Sequence, residues 1–325
     1  MIRRSRFLRS VLALAAGSLL STSLLASDAW PNKPIRLVVP YPPGGSSDII
    51  ARSIGQLISQ ELKQTVIIEN KPGANGNLGA EFVARSQPDG YTWLLCDLGA
   101  LAISPSVYTK LSFDPSKDLR GAGMLAYSPH MLVVHPSVQA NNLKELVELS
   151  KKQDLNFAVT ATGSAPHLAG VELARLTGAK WVYVPYKGGV QSVQDTVAGQ
   201  TQVLMNGMLA TYPHVQSGKL KLLGISKSTR MPVIADVPTL AEQGAQGLDS
   251  GTWQGVVLPA KTPEAVVQRV HQSLLRAIRS PEVRARLTAQ GAEVVTMTPA
   301  ETDKFFNAER ARWRTVVQTG NLQLD

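Results

Sequence analysis

Residues 36 to 54, RLVVPYPPGGSSDIIARSI, constrain this chain more than any other stretch. Arg36 to Val39 is a short apolar run, rich in β-branched residues, of the kind that forms a buried strand. Pro40 to Gly45 then forbids regular structure, with three prolines and two glycines in six residues. Ser46, Ser47 or Asp48 is placed to cap a following helix, its side-chain oxygen accepting from a free N–H of the first turn. Strand, glycine-bearing loop and helix start make an anion cradle, because Gly44 and Gly45 let backbone N–H groups approach a ligand and the helix dipole favours negative charge. A single copy would be no more than a strand-to-helix turn. A second copy, Asn156 to Thr160 followed by ATGSAPH (161–167) and a helix from Leu168 to Leu176, changes that reading.

Between the two copies the pattern repeats. Val66 to Glu69 reads as a strand, NKPGANGN (70–77) as a loop, and Leu78 to Arg85 as a helix. Tyr91 to Cys96 is a third strand, leading through Asp97, Leu98, Gly99 and Ala100 into a helical stretch. Later, Asn142 to Lys152 is an amphipathic helix, and Trp181 to Val184 leads into PYKGG (185–189), a third loop-then-helix signal. Met131 to Val134, which starts the second lobe, Val203 to Met205, Lys221 to Ile225 and Thr252 to Leu258 complete the strands, and only helices are expected beyond residue 259. This order predicts an α/β fold of two lobes, each a mainly parallel sheet flanked by helices, with ligand loops gathered at the sheet edges. The lobes are 30–130 plus 251–325 and 131–250, with chain crossings near 130 and 250 acting as a hinge around a cleft.

A chain of 325 residues, 44% hydrophobic and 18% charged, suits two soluble lobes. Residues 1–29 read as a secretory signal peptide: four arginines, an apolar run from Val11 to Ala26, and small residues before cleavage after Ala26 or Ala29. Arg6 stands where a twin-arginine signal would want its phenylalanine, which favours the general secretory route into the periplasm. Without this segment 29 basic and 23 acidic residues remain, a net charge of +6 spread too evenly for nucleic acid. Cys96, the only cysteine, forms no intrachain disulfide and suits a buried apolar role.

Catalytic constellations are missing from the pattern. The five histidines have no metal-binding spacing, and neither a nucleotide loop nor a nucleophile elbow is present; no cofactor is expected. What recurs is backbone donors and small hydroxyls at helix starts, which suits holding a carboxylate between lobes. Tyr41 is a candidate wall residue, Asp48 a cap or loop brace, and His167 a neutral donor or cap. Lys187 reads as a salt-bridge partner or as a solvated loop lysine.

The stretches WPNKPIRLVVPYPPGGSSD, NKPGANGNLGAEFVA, PDGYTWLL, LAISPSVYTKLSFDPSKDL, GSAPHLAGVEL, VPYKGG, DVPTLAEQG and GAEVV occur in an order that resembles the tripartite tricarboxylate transporter substrate-binding proteins, the Bug family of periplasmic receptors. The resemblance implies a monomeric Venus-flytrap receptor that binds a small carboxylate, a di- or tricarboxylate, aromatic acid or acidic amino acid, partly through ordered waters, and delivers it to a two-component membrane permease. Carried onto this chain, the first grip is Tyr41, Pro43, Gly44, Gly45, Ser46 and Asp48, and the second is Thr162, Gly163, Ser164 and His167. Gly99, Ala100, Tyr186 and Asn206 complete the expected ligand-binding set. The loops Cys96–Gly99 and Leu204–Gly207 depart from the family pattern and are expected to read the far end of the ligand; Asp97 would favour an amine if it faced the cleft and would say nothing if it only braced a loop. Two other readings stay open: an exported serine hydrolase using Ser164 or Ser47, and a receptor that signals to a sensor kinase.

Overall fold

The computed structural model describes residues 30–320; the expected signal peptide, 1–29, lies outside the described residues. Strand β1 (Ile35–Val39) enters helix α1 (Ser46–Leu62) through the proline–glycine loop. β2 (Val66–Asn70), α2 (Asn77–Ala84) and β3 (Thr92–Cys96) follow, then a π-helical turn (Gly99–Ile103) that runs into the short α3 (Ser104–Val107). β2 and β3 flank β1 in parallel, with Leu37 opposite both Ile68 and Trp93. This is the expected parallel βαβ start.

β4 (Leu119–Val134) is longer than the sequence suggested, where only Met131 to Val134 read as strand. Pro129 looks like a terminator, yet it sits where the strand changes partners, so its missing N–H interrupts no continuous ladder. Leu119 to Pro129 pairs antiparallel with β9 (Gly251–Pro259), whereas His130 to Val134 pairs with β7 (Val203–Gly207). Between them lie α4 (Leu143–Ser150), β5 (Asn156–Val159), α5 (Ala165–Thr177), β6 (Val182–Pro185) and α6 (Gly189–Val197). α7 (Met208–Gln216) and β8 (Lys221–Ile225) come before β9. Strand order is β2-β1-β3-β9-β4-β7-β5-β6, with β8 and β10 also paired to β4. The sheet is therefore mixed rather than mainly parallel, because β4 and β9 run against their neighbours in both halves.

After β9 come α8 (Glu264–Ile278), α9 (Pro281–Ala289), β10 (Glu293–Met297) and α10 (Pro299–Gly320). The expectation of helices only after residue 259 is corrected by β10, which adds to β4 with Glu293 opposite Tyr127. Helices cover both sheet faces. In the first half Ile50, Ile54 and Ile58 of α1 pack with Val270 and Leu274 of α8 against Ile35, Leu37 and Val39, while Trp313 of α10 belongs to the opposite face with Val38, Leu94 and Cys96. In the second half, Leu146 and Leu173 pack with Phe157 on one face, and Val193 and Met208 with Leu204 on the other. Cys96 is fully buried, as expected. No described helix is long and apolar enough to cross a membrane.

Where β4 changes partners, His130 is wholly buried. Its ring lies 2.8 Å from Ser250 Oγ and 3.1 Å from Thr252 Oγ1, and its backbone N–H donates to the Ser250 carbonyl. Ser226 Oγ donates to the carbonyls of both His130 and Ser250, tying the two crossing segments together.

Candidate functional site

The first loop delivers α1 with its N-terminus bare. Gly45 is the N-cap, extended at φ −77° and ψ 172°, and no side chain caps the helix. The N–H groups of Ser46, Ser47 and Asp48 therefore have no partner within the helix, since the first turn lies beyond the reach of intrahelical bonding. None of the three side chains expected to cap it does so. Asp48 turns back and accepts from the Gly44 N–H (2.9 Å), Arg52 Nε (2.9 Å) and Asn70 Nδ2 (3.0 Å). Burial would raise the Asp48 carboxyl, but the bonds from Arg52, Gly44 and Asn70 outweigh it and hold the group below the usual aspartate range. Its role is to brace the loop, one of the two expected, and Gly44, at φ +87°, spends its own N–H on that brace.

The second expected cradle is largely occupied by its own atoms. Gly163 N–H donates to His167 Nδ1 (3.0 Å), Ser164 N–H donates to the Ala161 carbonyl, and His167 N–H donates to Ser164 Oγ. Pro166 has no N–H to offer. His167, its imidazole pushed down by burial, is thus an acceptor at Nδ1 that braces the loop instead of the donor or cap expected. This cradle leaves the Ala165 N–H at the start of α5, and a fuller set of donors in this half stands at α6. Gly188 is its extended N-cap and no side chain caps it, leaving the N–H groups of Gly189, Val190 and Gln191 without intrahelical partners. A Cβ on Gly188 would lie 2.7 Å from Pro42 Cδ, so the two loops meet as closely as glycine permits.

Between these helix starts lies a small cavity of about 60 Å³. Tyr41, Asn75 and Asp97 wall it from the first half, Thr160, Ser164, Gly189 and Asn206 from the second, and Thr252 and Gln254 of β9 form the remaining side. Tyr41 Oη donates to Asp97 Oδ1 at 2.6 Å, and the Gly99 N–H donates to the same oxygen at 2.8 Å. Burial raises the Asp97 carboxyl despite these two donors, and burial, with Asp97 alongside, pushes the Tyr41 phenol well up. Among the described residues no lysine, arginine or histidine lines the cavity; its only charged side chain is Asp97. An anion held here is held by backbone dipoles and neutral donors.

Of the residues expected from sequence, Tyr41, Gly45, Ser46, Ser164 and Asn206 reach the wall. Pro43, Gly44 and Thr162 are exposed and do not line it. Asp48, Gly99, Ala100, Gly163 and His167 stand behind it as support, and Tyr186 packs into the second-half core, its phenol pushed up to about 12 by burial and then by Asp195. Asn75, Gly188, Gly189, Thr252 and Gln254 were missed. PYKGG carried a helix-start signal and the asparagine-rich loop was noted, whereas nothing marks Thr252 and Gln254 within an ordinary strand. Ser164 and His167 do not form a nucleophile–base pair, since the imidazole Nδ1 accepts from Gly163. No group of three His, Cys, Asp or Glu among the described residues could hold a metal.

Residues 50–322 match the tripartite tricarboxylate transporter family receptor. This chain belongs to that family. The receptor is 34% identical to BugT of Bordetella pertussis over 304 residues, covering 92% of this chain and 93% of BugT. Its fold matches the periplasmic binding protein BugD with a TM-score of 0.87 at 31% identity, over 90% of this chain and 99% of that one. MatC of Rhodopseudomonas palustris, solved with bound malate, matches with a TM-score of 0.84 at 32% identity, over 89% of this chain and 100% of that one. The fold is that of the binding proteins, and these relatives are receptors, not enzymes, which removes the hydrolase reading.

Proposed function

We propose that this receptor works in the periplasm, after loss of residues 1–29, and captures a small carboxylate in the cavity between α1 and α6. The observation that carries the reading is the pair of uncapped helix starts facing one cavity from the two halves of the chain. Helix N-termini offer N–H groups and partial positive charge without a counter-ion, and in a nearly closed site they replace the hydration of a carboxylate. Ordered waters bridging the Tyr41, Ser46 and Thr160 side would complete the shell. The malate bound to MatC is an acid of this class.

Residues 30–130 plus 251–325 and residues 131–250 act as the two lobes. They close about the paired crossing at His130 and Ser250, where β4 passes from one set of partners to the other. A ligand that binds the closed form better shifts the population toward it. The loaded monomer hands its cargo to a two-component membrane permease. Native mass spectrometry of the purified protein, then calorimetry against a carboxylate panel, tests the reading. A co-purifying acid, or saturable binding of one acid class, supports it; binding confined to uncharged compounds overturns it. Substrate uptake by permease-containing vesicles only when the loaded receptor is added would support delivery.

A further inference from the structure

We propose that the carboxylate this receptor takes also carries an ammonium group: the ligand is an amino acid or similar zwitterion, its ammonium on Asp97 and its carboxylate at the helix starts. This rests on the carboxylate reading above and narrows it.

The argument begins with the free valence of Asp97. Oδ1 is fully engaged, accepting from both Tyr41 Oη and the Gly99 N–H. Among the described residues Oδ2 has no hydrogen-bond donor, and no cationic side chain pairs with this carboxylate. Asp97 nevertheless lines the cavity. A second, independent atom has the same deficit. Gln254 is wholly buried on the cavity wall, its Nε2 contacts Ser47 Oγ at 3.4 Å, and its Oε1 has no partner. A buried polar atom left unmatched is costly, as at Gln254 Oε1, and Asp97 Oδ2 offers a second acceptor without a donor to the same cavity, so both call for donors brought in from outside.

The distribution of charge makes the choice of donor specific. A ligand carrying only carboxylates would meet the helix starts favourably and meet Asp97 as a like charge, with no lysine or arginine on the wall to offset it. An ammonium turns that repulsion into a charge-assisted hydrogen bond and has N–H groups to spare for Gln254. Burial raises the Asp97 carboxyl, and a bound ammonium would act in the opposite direction.

The test is calorimetry on the full mature receptor with matched pairs: the standard amino acids and 4-aminobutyrate, each against its counterpart lacking the amine, such as L-aspartate against succinate or L-glutamate against glutarate. The expected result is at least one aminated probe that binds about tenfold or more tighter than its counterpart, as a charged hydrogen bond implies. Asp97→Asn, which keeps an acceptor for Tyr41 and Gly99, should bring that ratio close to one. A receptor that binds succinate, glutarate or another unaminated acid as well as or better than its aminated partner keeps the carboxylate reading and overturns this one. Survival of the preference in Asp97→Asn also overturns it. A screen in which neither set binds overturns both.

Discussion

Asn75 Nδ2 donates to the Gly163 carbonyl at 3.1 Å, joining the loop before α2 to the loop before α5 across 88 residues of sequence. Asn75 is buried and left-handed at φ 52°, a conformation asparagine tolerates better than most residues. If the halves open and close as proposed, the bond would favour the closed form whether or not ligand is present. Asn75→Gly keeps the backbone conformation and removes the bond. We expect it to weaken ligand binding by about fivefold, the equivalent of one net hydrogen bond, and to enlarge the average radius in small-angle scattering. An unaltered affinity would mean that the latch contributes nothing to closure.

Backbone approach at α1 should be sensitive to any side chain. A Cβ on Gly45 would meet only the Pro42 carbonyl, at 3.8 Å, so the fold accepts one, but Gly45 lines the cavity. Gly45→Val should abolish detectable binding while the melting temperature stays within a few degrees. Calorimetry and circular dichroism together check it; retained affinity would remove α1 from the grip.

Salt should matter little. With no basic side chain on the wall, the attraction lies in buried dipoles that mobile ions reach poorly. Raising ionic strength from about 0.05 to 0.5 M should change Kd by less than about threefold. A steep dependence would implicate an exposed cation such as Lys187 instead.

Acid should loosen the crossing between the halves. Burial lowers the His130 imidazole from 6.5 to about 3, so the unfolded chain takes up its proton first. Stability from this group is complete above pH 6.5 and is lost as pH falls toward about 3, at a rate of at most about 1.4 kcal/mol per pH unit. In urea denaturation at pH 7 and pH 5, His130→Gln should be less stable at pH 7 and should show a shallower loss on acidification. Parallel slopes in the two proteins would contradict this assignment.

Much of this was legible in the chain. The PPGGSSD run announced the loop and helix start that became α1, and the glycines of PYKGG announced α6. The errors have local causes. Pro129 disguised a strand that continues because its partner changes there, and the five residues of β10 are too few to declare a strand between helices. The loop at 161–167 looked like a donor cradle because its composition matched the first, but His167, Ser164 and the Ala161 carbonyl take up three of its N–H groups, and only their spatial arrangement reveals it. Thr252 and Gln254 alternate with apolar neighbours as any strand residue does, so their facing a cavity is invisible in one dimension.

The pairing of β3 with β9 has a consequence for how the molecule is assembled. Strands β1 to β3 are among the first to be made, yet their sheet is completed only by residues 251–259, and its helical cover only by α8 to α10. Residues 131–250 hold most of their own partners and are contiguous. Contacts so distant in sequence form slowly, because the intervening chain must be ordered first. The strands translated earliest therefore complete their native sheet and helical cover only once residues 251–320 have been made, after the middle of the chain already has most of its own partners.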